Sequence, residues 1–255
     1  CNWCCRWAMP SIELGHPADF AGWRAAARNL LVHDIPPEAV AWRVAGDSTD
    51  LLDGQPLPPA APAASIAVPR DLVELAEHAV LHRDSDRFGL LYRLLWRVHH
   101  DRTLIRFAAD PDLMRVSAMA KAVRRDIHKT HAFVRFRAVP DGAEERFVAW
   151  HEPDHHTLEA SAPFFVRRFA NMRWAILTPE RSALWDGREL VFGPRAGRTD
   201  APGADDLEDV WRVYYASAFN PARVNPRAMR AEMPKHFWRN LPDAPLIGPL
   251  IRNAS

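Results

Sequence analysis

The chain has 255 residues, with 33 lysines and arginines against 32 aspartates and glutamates and a formal net charge of +1. That length allows one or two domains with a buried core, and 48% hydrophobic with 25% charged residues excludes wholesale disorder. The charge balance excludes a polycation, so affinity for nucleic acid has to come from local clustering. No apolar run reaches the roughly 18 residues that a membrane span needs.

The three cysteines, Cys1, Cys4 and Cys5, open the chain. Cys1 and Cys4 have the spacing of half a metal or redox site, but a metal site needs about four ligands and no second cysteine pair follows. Met9-Pro10-Ser11 reads as the natural start, with residues 1–8 a non-native leader. The remaining body then holds no thiol for catalysis or disulfides, which fits a bacterial cytoplasm. Residues 9–45 predict a small β-α-β unit. It has an extended run at Ile12–Leu14, a helix capped at Pro17-Ala18-Asp19 and continuing through Asn29, and an alternating strand at Val40–Val44. Residues 46–64 collect glycine, proline and alanine as a linker does. Residues 65–255 form the expected main domain.

Helical spacing in that domain predicts a helix after Pro69, a second from about Asp86 through Val98, and a third from Asp110-Pro111 to about His131. Strands at Ala132–Val139 and Arg146–Trp150 flank the turn signal Asp141-Gly142. A helix over about His155–Phe169 precedes strands at Arg173–Leu177, Ala183–Trp185 and Glu189–Phe192. A further helix from Asp205 through Ala218 and short pieces broken by prolines complete the chain. The expected class is α+β, an antiparallel sheet with helices segregated around it.

The third helix carries the clearest functional signal. At about 100° per residue, Val116, Ala120, Val123, Ile127 and Thr130 fall on one arc and predict its buried face. Lys121, Arg124, Arg125, His128 and Lys129 fall on the adjoining arc, interrupted only by Asp126, which points away. A one-sided basic stripe on a firm helix suits a phosphate backbone; the alternative is a solvated face. His131, Arg135 and Arg137 extend the cluster. Arg167, Arg168 and Arg173, and the segment Lys235-His236-Phe237-Trp238-Arg239, mix arginine with aromatics as base-stacking surfaces do. Their alternative role is packing.

His151-Glu152-Pro153-Asp154-His155 matches the zinc-protease pattern H-E-x-x-H literally. That chemistry needs both histidines one turn apart on an uninterrupted helix, and Pro153 blocks such a helix. The segment instead predicts a strand end, a turn, and a helix with Pro153 in its first turn. Glu152, His155 and His156 then become acid/base candidates, with a loose metal site or a plain polar turn as the alternatives. Phosphate-loop, dinucleotide and nucleophile-elbow motifs are absent. Nothing in the sequence implies a metal or cofactor.

The segments Leu91–Trp96, Met119–Lys129, His131–Arg137, Ala162–Phe169, Met172–Pro179, Trp211-Arg212, Tyr214-Tyr215, Phe219–Arg223 and Met233–Pro242 resemble a bacterial family described as DNA-metabolism proteins, a domain of unknown function. The likeness covers Met9–Ala254. It implies a DNA-repair setting, with the domain either alone beside a radical-SAM protein or fused ahead of a uracil-DNA-binding, glycosylase-like domain of the UdgX type. This chain resembles the fused version. The resemblance implies an aromatic at position 151, where this chain has histidine, and it supplies no reaction. Three functions follow as expectations: a DNA-binding accessory domain in uracil repair, a protein-docking module for a radical-SAM or glycosylase partner, and an enzyme acting on nucleic acid through Glu152, His155 and His156.

Overall fold

A computed structural model describes residues 10–46, 66–141, 144–201, 235–238, 241, 249 and 252. Contacts divide the chain into two compact units, Cys1–Arg125 and Asp126–Ser255.

The first unit begins with two short strands, β1 (Ser11–Leu14) and β2 (Ala41–Val44), paired in parallel. A parallel pair needs a crossover, which α1 (Phe20–Val32) supplies. Asp19 starts that helix by accepting the Gly22 N–H at 2.7 Å. Three more helices follow, α2 (Arg70–Ala79), α3 (Arg87–His100) and α4 (Pro111–Phe133). The buried Trp23 donates its Nε1–H to the Phe88 carbonyl at 3.2 Å, and the Tyr92 hydroxyl donates to the Ile35 carbonyl at 2.5 Å. Buried Arg87 is fully engaged by the carbonyls of Val80, Asp84 and Pro17.

Ion pairs fix the start of α4. Asp110 Oδ1 accepts the backbone N–H groups of Asp112 and Leu113, each at 3.0 Å, as a helix cap does. Arg97 reaches Asp110 at 2.5 Å and Asp112 at 2.9 Å. Arg93 grips Asp112 through two bonds of 2.9 and 2.6 Å. The Arg97 guanidinium holds the Asp110 carboxyl below its ordinary range, and Arg93 does the same for Asp112.

The second unit is built on a five-stranded sheet in the order β3-β4-β5-β6-β7. The strands are β3 (Arg137–Asp141), β4 (Glu144–Trp150), β5 (Trp174–Leu177), β6 (Ser182–Trp185) and β7 (Leu190–Gly193). Helix α5 (Leu158–Arg168) joins β4 to β5. It buries Leu158, Ala162 and Phe165 against Trp174, Ile176 and Ala183 of the sheet. The β6–β7 turn forms at Asp186-Gly187: the Asp186 carboxylate accepts the Arg188 and Glu189 N–H groups at 2.8 Å, and Gly187 takes φ +98.

The α+β class is as expected, and the sheet is antiparallel apart from one parallel pair, β4 with β5, which the α5 crossover imposes. Several boundaries move. α4 runs on to Phe133, whose ring stacks on Phe237 at 5.3 Å, so β3 begins at Arg137 instead of Ala132. α5 begins at Leu158 instead of His155, because the backbone before it is held otherwise, as shown below. Apart from Gly46, the linker over 46–64 lies outside the described residues, as do the cysteines and the helix expected from Asp205. Among the described residues no helix is long and apolar enough to cross a membrane.

Asp110→Ala removes a helix cap and one side of a part-exposed ion pair, each worth about 1 kcal/mol. Urea unfolding should register a loss of about 2 kcal/mol at neutral pH. Because the folded-state pKa is depressed, this stabilisation is present above the ordinary carboxylate value of 3.8 and is lost as pH falls through the lower, folded value. The difference between wild type and variant should therefore shrink in acid.

Candidate functional site

The face of α4 opposite its core contacts carries the basic stripe. Val116, Ala120, Val123 and Thr130 are fully buried, and Ile127 is half-buried. Lys121, Arg124, Arg125 and His128 are exposed, and none has an ion-pair partner among the described residues. Lys129 is half-buried, with its ammonium 5.8 Å from the Phe237 ring centre. Several other cations are neutralised: Arg93, Arg97, Arg115, Arg146, Arg173 and Arg181 pair with carboxylates. The positive charge of the stripe is thus left facing water.

Asp126, the one acid within the stripe, turns inward and is 2% exposed. Its Oδ1 accepts the Asp154 N–H and its Oδ2 the His155 N–H, both at 3.1 Å, while the Thr157 hydroxyl donates to Oδ2 at 2.7 Å. These bonds draw residues 154–157 into a turn around the carboxylate, which is why α5 cannot begin at His155 and why Pro153 lies before the helix. Burial pushes the Asp126 carboxyl above its ordinary value of 3.8, although all three donors favour the ionised form.

His151 sits in the core at 1% exposure. Its ring lies parallel to Phe237, with centres 5.6 Å apart, and its Nε2 is 3.1 Å from the Thr130 hydroxyl oxygen. That hydroxyl donates to the Asp126 carbonyl at 3.0 Å, so its single proton is used and Nε2–H donates to it. His151 therefore fills the aromatic role that the resemblance implies at this position. The metalloprotease pattern dissolves here, since residues 151–156 are not helical.

The bonds at the acid/base candidates run in different directions. Glu152 accepts the Trp150 Nε1–H at 2.8 Å; His156 Nδ1 lies 2.6 Å from Glu180 Oε2; half-buried His155 offers its backbone N–H to Asp126. Among the described residues no group of three or more histidine, cysteine, aspartate or glutamate side chains could hold a metal ion.

His131 stacks on Phe164 with ring centres 4.1 Å apart. Burial lowers its pKa, and the positive charges of His128 and Arg167 lower it further. His128 and Arg167 therefore share one neighbourhood of the second unit. Arg168 is exposed beside the Phe169 ring, whereas Arg173 is tied to Asp141 at 3.3 Å. Lys235 and His236 lie on the short helix α6 (Lys235–Trp238), in which Trp238 is half-buried; Arg239 lies outside the described residues. Sequence reasoning missed Asp126, Thr130 and Thr157 as a connected set. The available signal was one acid among five cations, at the edge of the apolar arc.

Asp126→Ala leaves three donors without their acceptor and should cost roughly 3 kcal/mol in urea unfolding. His131 should titrate by NMR below the ordinary histidine value of 6.5. Since its folded pKa is depressed, His131 contributes stability present above that value and lost as pH falls through the lower one.

No curated protein and no solved structure matches the chain. The family model of a domain of unknown function, DUF4130, matches residues 85–243, a span that holds α4, the Asp126 turn, the sheet and the segment around Phe237. The chain belongs to that family of domains of unknown function, DUF4130.

Proposed function

We propose that this chain is a DNA-binding accessory domain that grips the phosphate backbone with the exposed face of α4. The observation that carries the reading is the set Lys121, Arg124, Arg125 and His128, exposed along one helix face with no acidic partner among the described residues. Most cations of a near-neutral protein are expected to be balanced locally, as Arg93, Arg97 and Arg115 are. Leaving a row unbalanced on a well-anchored helix creates a local positive field despite the net charge of +1. Within the second unit, Arg167 adds positive charge in the neighbourhood of His131 and His128. The contacts are to backbone, so they position the protein without reading sequence. The repair setting, the radical-SAM or uracil-DNA-binding partner and the bacterial cytoplasm are part of the proposal and rest on the resemblance.

A second reading, a protein-docking module, has one observation of its own. Leu184 and Val191 are cross-strand neighbours and are 38% and 50% exposed on the sheet. Leu184→Asp should abolish co-purification of a partner under that reading and leave DNA affinity intact. The enzymatic reading, with Glu152, His155 and His156 as acid/base groups, has no observation of its own.

Anisotropy titration of a labelled duplex tests the main reading. Three or four phosphate contacts predict a loss of about 40- to 150-fold in affinity between roughly 50 and 200 mM salt. The double variant Arg124→Ala/Arg125→Ala should weaken binding equally on unrelated sequences and flatten the salt slope by about one to two units. Absence of affinity at low salt, or an unchanged slope in the double variant, sinks the reading.

A further inference from the structure

The exposed face of α4 does not begin with its cations. Met114 precedes Lys121 by seven residues, close to two full turns, and therefore lies on the same face about 10 Å towards the helix start. It is 57% exposed. Just ahead of the helix, Phe107 closes a single 3-10 turn at Leu104–Arg106 and is 63% exposed, which makes it the most exposed large apolar side chain among the described residues. Its backbone is firmly placed: the Phe107 carbonyl accepts the Asp110 N–H at 2.9 Å, and Asp110 in turn caps α4. A phenyl ring held in water on an anchored turn forgoes the stabilisation that burial brings.

Phe107 also borders an open cleft, together with Arg97, Leu104 and Arg106. The carboxylates in that cleft are engaged. Asp101 accepts the Thr103 N–H and hydroxyl at 2.9 and 2.7 Å, and Asp110 is held by Arg97. Arg102 and Arg106 beside them are exposed and have no ion-pair partner among the described residues. An exposed aromatic ring, flanked by free guanidinium groups and set just ahead of the helix that carries the basic face, matches the chemistry of an unstacked nucleobase on a gripped strand. The ring offers a stacking platform and the cations track the phosphates.

We infer that Phe107 is a base-stacking site, and that the DNA held by α4 is single-stranded or locally unpaired. This rests on the backbone-gripping reading and adds the state of the bases to it. A fully paired duplex offers its phosphates to Lys121, Arg124 and Arg125 but keeps its base faces stacked inside. A single strand or a bulge offers both. Met114, on the same face, adds the apolar contact that wedge side chains make at unstacked steps.

The test uses the full chain and three labelled DNAs of one length: a single strand, its paired duplex, and the duplex with a bulge. Wild type should bind the single strand and the bulged duplex more tightly than the paired one. Phe107→Ala should weaken the first two by about tenfold, with the paired duplex unchanged. Phe107→Tyr, which keeps the ring, should restore the wild-type order. Arg124→Ala/Arg125→Ala should weaken all three. If Phe107→Ala leaves all three affinities unchanged, or lowers them equally, the stacking site is overturned while the backbone grip stands. If wild type binds none of the three, the backbone grip falls and the stacking site falls with it.

Discussion

A carboxylate taken out of water must be given hydrogen-bond donors, and Asp126 takes its donors from a loop 28 to 31 residues further along the chain. That single demand organises much of the second unit. It converts the segment after β4 into a tight turn, delays the start of α5 to Leu158, and so sets where the β4–α5–β5 crossover begins. It also decides which way the last turns of α4 face. With Asp126 and Thr130 directed inward, His128 is left facing solvent. The buried polar residues and the exposed cations are two consequences of one helix orientation.

In the first unit the corresponding constraint is the Asp110–Arg97–Asp112–Arg93 network. It satisfies the N-terminal N–H groups of α4 and ties that helix to α3. Under the proposed reading, a helix secured in this way is in place before any ligand arrives, so less ordering entropy would be lost on binding phosphates. The same anchoring holds the backbone of Phe107 at the head of the helix, where its ring stays exposed. A surface that is rigid, positive and capped by an aromatic ring suits a strand of nucleic acid better than it suits a small-molecule reaction.

Much of this was legible in the sequence where local rules govern. Asp19 caps a helix, Asp186-Gly187 makes a turn, and 3.6-residue spacing separates the buried arc of α4 from its basic arc. The parallel pairing of β4 with β5 was not legible, because it depends on a crossover whose start is set by Asp126 from a distant helix. The role of His151 was equally hidden. Its neighbours in sequence suggest a metal ligand, while its neighbours in space, Thr130 and Phe237, make it a core aromatic. Phe107 was passed over because one apolar residue in a loop has no periodicity to betray its exposure.

The central claim is that the α4 face lies against phosphates when DNA is bound, and the composition of the chain offers a direct readout. Its lysines are Lys121, Lys129 and Lys235. Acetylation footprinting by mass spectrometry, with and without DNA at low salt, should show Lys121 strongly protected by DNA. Equal modification of Lys121 in the free and DNA-bound protein would contradict the account.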